Sequence, residues 1–396
     1  MGAHLRRPGP TVFAVDRDAI QVTWSRLSPD VARVQVGDVA AALTPGDGPG
    51  SVVVTGLPAG SLLDVRLETA RGADRGGVPA HTLSPPPGPE LFRFATISDL
   101  HLGERRFGYL STIGEHPEPD EPYSVRAAEA AIEEIAAWGG QLLVVKGDIT
   151  VDSMAHDWER FGRMLGASGL PTIATAGNHD RVTHDGEPGW RQRIIGESPR
   201  GRGSEVTAEE GLHLAGLDLA GPVQVRDVPG LRIVLADTTV PGHRSGQIES
   251  IADDIVEALA TAPGAAFVAL HHQLMTTSFP TYIPVGIRGD ESRAFLDRAV
   301  AANPALLVTS GHTHRHRRRR HGTAVVTEVG SPKDFPGSWA GYVVHEGGIR
   351  QVVRRIARPD VLRWTDRSAD AALGLWGHWS PGALDDRCFA HTWPTR

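Results

Sequence analysis

Lysine is almost missing from this chain. Of its 40 lysines and arginines, only Lys146 and Lys333 are lysine. With 46 glycines and 29 prolines beside them, the skew reads as a coding bias and assigns no function. Cysteine is scarcer still. Cys388 stands alone, so no disulfide can form within the chain, and 396 residues can bury enough apolar surface to fold without one. That suits a cytoplasmic setting. No run of about eighteen apolar residues occurs, so no membrane span is expected. The opening Met1-Gly-Ala-His-Leu-Arg-Arg-Pro-Gly-Pro has no apolar stretch, and no signal peptide is expected either. Excess positive charge is also lacking; a formal net charge of −7 argues against a general nucleic-acid binder.

What is present divides at a proline-rich stretch. Residues 1–82 carry short Val-, Ile-, Leu- and Thr-rich segments, Thr11–Asp16, Ala19–Arg26, Val31–Val36, Ser51–Thr55 and Leu62–Thr69, separated by Gly, Pro and Asp. This spacing, with no helical period, predicts a small all-β sandwich. Residues 83–90, Leu83-Ser-Pro-Pro-Pro-Gly-Pro-Glu, form a stiff linker. From 91 to 357 the pattern alternates. Strands are predicted at Phe92–Ser98, Gln141–Lys146, Pro171–Ala176, Arg232–Asp237, Ala266–Leu270, Ala305–Ser310 and Thr323–Glu328. Helices are predicted at Ser124–Trp138, His156–Leu165, Ile248–Ala260 and Asp290–Ala302. That alternation predicts a layered α/β fold. Residues 181–230 read as an insertion over a sheet edge. Residues 358–396 form a tail with Trp364, Trp376, Trp379 and Trp393.

The chemistry stands at the strand ends. One strand runs into Ser98-Asp99-Leu-His101, another into Gly147-Asp148, a third into Gly177-Asn178-His179-Asp180. Two later ones run into His271-His272 and Gly311-His312-Thr-His314. In α/β sheets ligands bind beyond the carboxyl ends of the strands, so these residues can meet in one cleft. Imidazole, carboxylate and amide oxygen together suit Mn, Fe, Co or Zn rather than copper or an iron–sulfur cluster.

In these blocks the sequence is similar to the calcineurin-like metallophosphoesterases, whose pattern is D-x-H, G-D, G-N-H-D/E, a post-strand His and G-H-x-H in that order. All five blocks occur here, between about residues 92 and 346. The resemblance implies a four-layer α/β/β/α sandwich and two divalent transition metal ions. It implies that Asp99, His101 and His314 hold one ion, that Asn178, His271 and His312 hold the other, and that Asp148 bridges them. It further implies hydrolysis of a small-molecule phosphate ester by a metal-bridging hydroxide, with Asp148 and His179 as catalytic residues and His179 facing the substrate. The pattern takes one ligand from His271-His272. The cyclic-nucleotide and glycerophosphodiester branch reads His-His-Pro-Pro with its first histidine as ligand, which assigns His271; here Gln273-Leu274 replaces the prolines. Residues 56–67 resemble the corner and following strand of fibronectin type III domains, with Trp24 as the core tryptophan and Leu63 where that family carries tyrosine.

Other residues read more plainly. His116, His156, His184, His213 and His243 are expected in loops or at the surface, and His316 and His321 in solvent. The run Arg315-His-Arg-Arg-Arg-Arg320 is expected to be a solvated hairpin turn, and Phe279–Pro284 is a candidate pocket wall. Phosphodiester hydrolysis is the first expectation, and phosphomonoester or nucleotide hydrolysis the alternative. A rival from another class is a binding or adhesion protein that works through its β-sandwich. The chain leaves room for a homo-oligomer.

Overall fold

A computed structural model describes residues 10–43, 48–69, 74–108, 111–181, 205–218, 221–275 and 284–394. Seven strands come first: β1 (Thr11–Val15), β2 (Ala19–Trp24), β3 (Val31–Val36), β4 (Val39–Ala42), β5 (Gly50–Thr55), β6 (Leu62–Thr69) and β7 (Asp74–His81). They pair antiparallel in two sheets, ordered β1-β2-β5 and β4-β3-β6-β7. Ile20, Val22, Val34, Val36, Val54 and Val65 fill the space between them. Trp24 is not part of that core. It sits half-buried at the end of β2 with its ring over Gly50, where a Cβ would stand 2.3 Å from a ring carbon.

Residues 82–89 have no regular structure. After them come β8 (Glu90–Ile97), a small hairpin of β9 (Arg106–Phe107) and β10 (Ile113–Gly114), α1 (Tyr123–Ala137), β11 (Leu143–Lys146), α2 (Ala155–Ser168) and β12 (Thr172–Thr175). α3 (Ala208–Leu214), β13 (Val223–Val228), β14 (Leu231–Ala236), α4 (Ala252–Ala260), β15 (Ala265–Leu270), α5 (Gly289–Ala302), β16 (Leu306–Ser310), β17 (Arg317–His321) and β18 (Ala324–Glu328) follow. The last elements are β19 (Ser338–His345), β20 (Gly348–Arg355), α6 (Pro359–Ser368), α7 (Leu375–Trp379), α8 (Leu384–Arg387) and β21 (Cys388–Thr392).

Two six-stranded mixed sheets result, ordered β12-β11-β8-β19-β20-β21 and β13-β14-β15-β16-β18-β17. Alternation along β8 and β11 explains their stacking, because successive side chains leave a strand on opposite faces. Phe94 and Val144 point between the sheets, where Phe94 packs on Tyr342 and Phe267 with ring centroids 4.9 Å apart. Ala95, Ile97, Leu143 and Val145 point outward onto apolar residues of α1 and α2. On the other sheet Val234, Val268 and Val308 meet Ile255, Leu259, Phe295 and Leu296 of α4 and α5. The order of layers is α/β/β/α.

Three sequence expectations need correction. Within 181–230, residues 182–204 lie outside the described residues. The rest is no loose insertion, since Leu212 and Ala215 join the core under α2 and β13 is a paired edge strand. The arginine run is not a turn. Arg315 and His316 are buried, Arg317–His321 form β17, and Arg319 pairs with Glu328 at 3.1 Å. Arg317–Arg319 are half-buried and Arg320 is exposed, with Arg318 stacked over the ring of Phe389. His316 is likewise not solvated, its ring lying 3.0 Å from Ser338 Oγ.

Candidate metal centre

Five residues beyond the strand ends hold backbone conformations that few side chains adopt. φ is 58° at Asp99, 46° at His101, 51° at Asp148, 65° at His312 and 51° at His314. Asp and His are among the non-glycine types that tolerate this left-handed region, at a cost of order 1–2 kcal/mol each. The turns are locked by the parallel neighbours. Asp99 N donates to Gly147 O and His101 N to Asp148 O, both at 3.0 Å. Glycine is required where two loops touch. A Cβ on Gly177 would stand 2.2 Å from Asp148 Oδ1, and one on Gly311 2.6 Å from Asp99 Oδ2.

These turns bring the predicted residues together. Asp148 Oδ2 lies 3.4 Å from Nε2 of both His101 and His271. Asp99 Oδ1 lies 3.4 Å from His314 Nε2, and its carboxylate accepts from His312 N. His271 Nδ1 donates to Lys146 O at 2.8 Å, which turns Nε2 to within 3.2 Å of Asn178 Oδ1. His179 N donates to Asp148 Oδ1 at 2.8 Å, and its Nδ1 lies 3.1 Å from Val151 O. Four groups have potential ligand atoms within 4.8 Å of one another: Asp99/His101/His314, Asp99/Asp148/His271, His101/Asp148/His179 and His271/His272/His312. Phe279–Ile283 of the proposed pocket wall lie outside the described residues.

The donors fit divalent cations. Nε2 of His101 and of His312 is buried with no hydrogen-bond partner, an arrangement that costs free energy unless something fills it. Burial drives both imidazoles down to about 3, with Lys333 adding to His101 and His271 to His312, so both are neutral and carry a lone pair. Burial opposes a charge on Asp148 too, but His271 and His179 outweigh it and hold the carboxyl well below its usual range. Burial lowers His271 and His314 as well. Asp148 reverses this for His271, raised to about 9, and Asp334 with Asp99 for His314, raised to about 10.

The calcineurin-like phosphoesterase family model matches residues 92–316, more than half of the chain. The chain belongs to that family. A cAMP/cGMP dual specificity phosphodiesterase of Mycobacterium tuberculosis is 30% identical over 158 residues, 39% of this chain and 41% of that protein. The 3',5'-cyclic adenosine monophosphate phosphodiesterase CpdA of Pseudomonas aeruginosa is 26% identical over 184 residues, 46% of this chain and 57% of that protein. The match thus spans about half the length of these relatives. A dimetal phosphatase from Danio rerio superposes with a TM-score of 0.46 at 12% identity, covering 77% of this chain and 100% of that one. Family and donor cluster together support a divalent metal cofactor.

Around the donors stand residues that the motif blocks did not assign. Asp180, fully buried, accepts from the N–H of Ile149, Thr150 and Gly177 and so ties two of the loops together. Asp334 accepts from His314 Nδ1 at 2.5 Å and orients that ring, as carboxylates behind metal-bound histidines do. Both lysines are here. Lys146 Nζ donates to Ser310 O at 2.7 Å, and Lys333 Nζ pairs with Glu104 at 2.5 Å beneath the ring of Phe107. Their rarity in the chain is the one signal that could have found them. The tail reaches the site as well: Trp364 Nε1 donates to Lys333 O and Trp376 Nε1 to Asp334 Oδ1.

Proposed function

We propose that this chain is a dinuclear-metal-dependent phosphodiesterase. The observation that carries the reading is the run of five left-handed turns that aim buried, unpartnered imidazole nitrogens and carboxylates at one another. Asp99, His101 and His314 would hold one ion, Asn178, His271 and His312 the other, and Asp148 both. Bound there, two divalent ions of Mn, Fe, Zn or Co supply Lewis acidity at the phosphoryl oxygens and a nucleophile near neutral pH.

The residues of the chain do the rest. The left-handed turns fix ligand directions before any ion arrives, so no reorganisation is needed in the transition state. His179 is half-buried and pinned twice, its N–H on Asp148 and its Nδ1–H on Val151 O. As an imidazolium it keeps that second bond and presents Nε2–H to the leaving oxygen. After the proton passes, the ring is neutral, with Nδ1–H still held. The names of the relatives favour a cyclic nucleotide as substrate. We also read the first seven strands, to residue 82, as a fibronectin-like unit, 83–90 as a linker and 91–357 as the catalytic unit. Residues 358–396 support it, and the setting is cytoplasmic.

The test is hydrolysis of chromogenic phosphodiesters and phosphomonoesters with Mn supplied, comparing wild type with Asp148→Ala. The diester should be preferred and the variant should lose activity by a factor of about a thousand or more. Preference for the monoester would replace the diesterase reading with a phosphatase. No turnover of either ester with any metal would leave the binding-protein reading in its place.

A further inference from the structure

The family pattern takes one ligand from the adjacent pair His271-His272, and the geometry of this chain offers both. His272 is fully buried, and its Nε2 has no hydrogen-bond partner. Its ring is held from the far side. Nδ1 lies 2.9 Å from the hydroxyl oxygen of Thr238, and that oxygen also accepts from His272 N at 3.3 Å. In the tautomer that donates from Nδ1 to this oxygen, Nε2 carries the lone pair. The loop at Gly246 lies over the ring, where a Cβ would stand 2.5 Å from His272 Cγ. Hence the imidazole cannot swing toward solvent.

His272 stands among the candidate donors. One ring nitrogen from each of His271, His272 and His312 lies within 4.8 Å of the others. The ring of His272 is 4.7 Å from that of His312 and 4.8 Å from that of His271, centroid to centroid. With metal–nitrogen bonds of about 2.1 Å, three imidazole nitrogens on one ion stand at most about 3.6 Å from one another. The three therefore need a contraction of up to about 1.2 Å.

We infer that His272 is a further nitrogen ligand of the second ion, which then meets three imidazoles, His271, His272 and His312, beside Asn178 and Asp148. The inference rests on the metal-centre reading above. It makes the two positions chemically unequal. The first has two imidazoles and two carboxylates, the second three imidazoles, one carboxylate and one amide. A nitrogen-rich position draws a borderline cation such as Zn, Fe or Co more strongly than Mn.

The test is the nitrogen resonances of the full chain, labelled with 15N-histidine and loaded with Zn(II). Metal-bound, protonated and bare imidazole nitrogens have distinct shifts. The inference expects five histidines with a zinc-bound nitrogen, His101, His271, His272, His312 and His314, and four in His272→Ala. Four in both proteins, with His272 Nε2 bare or protonated, overturns it and leaves the metal-centre reading standing. No zinc-bound nitrogen at all removes that reading and the inference with it. Should His272→Ala fail to fold, the count in the wild type still decides. In parallel, the variant should bind one of its two Zn(II) ions at least about tenfold more weakly and keep the other unchanged; equal affinities in both proteins count against His272.

Discussion

At the scale of single residues the cluster holds protons where cations belong. Without ions, two buried carboxylates, Asp99 and Asp148, would repel each other, and protonated His271 and His314 offset them. Their pKa values, about 9 and about 10, put a proton on each at pH 7. An incoming cation must displace these protons. Affinity should therefore rise with pH and level off only above about 10, whereas a site built from ordinary carboxylates alone levels off above about 5. Calorimetry of Zn(II) binding at pH 7 in buffers of different ionisation enthalpy should show release of about two protons; release of none would mean that His271 and His314 start neutral. The donors were legible in the sequence because each stands in a short motif beside a strand. Asp334, Glu104 and Asp180 were not given roles, because theirs depend on which loops approach which. Nothing in Ser331-Pro-Lys-Asp-Phe foretells that Asp334 ends 2.5 Å from His314, twenty residues away.

At the scale of elements the centre is made by loops between parallel strands, and its tolerance is set by backbone contact. Gly177 and Gly311 stand where loops from different strands touch with no room for a methyl group. Gly177→Ala should lower affinity for both ions by about tenfold or more while the far-ultraviolet dichroism stays that of the wild type. Wild-type affinity in the variant would mean that the 147–150 loop yields freely. The strands that carry donors were predicted to within a few residues, since each is a short apolar run between turn signals. β13, β19, β20 and β21 were not predicted. β19 is buried along its whole length and so shows no alternation to read. β17 misled for the opposite reason: its five residues are all arginine or histidine, a composition that reads as solvent-facing.

At the scale of the whole molecule the first seven strands are tied to the sheet that carries Asp99. Buried Asp16 faces two arginines of β20, Arg350 at 2.8 Å and Arg354 at 2.6 Å. Gln21 exchanges two hydrogen bonds with the backbone of Arg355, whose side chain donates to Pro336 O at 2.9 Å and to Asp366 at 2.8 Å. The loop before Pro336 carries Lys333 and Asp334. Asp16→Ala would strand two largely buried guanidinium groups. It should cost about 3 kcal/mol in urea denaturation; a loss below about 1 kcal/mol would mean that water replaces the carboxylate. None of the ties made by Asp16 and Gln21 was legible, because each joins residues more than 300 apart in sequence.

The two lysines have a practical consequence. Both ammonium groups are sealed and engaged, at 0% and 2% exposure. In the folded chain an acylating reagent that seeks primary amines finds no lysine at the surface and is left with the α-amino group. Any label that appears on Lys333 then marks a molecule in which the Glu104 pair has parted. Lys333 is thus a built-in reporter of breathing at the site, readable by peptide mass mapping without an introduced probe.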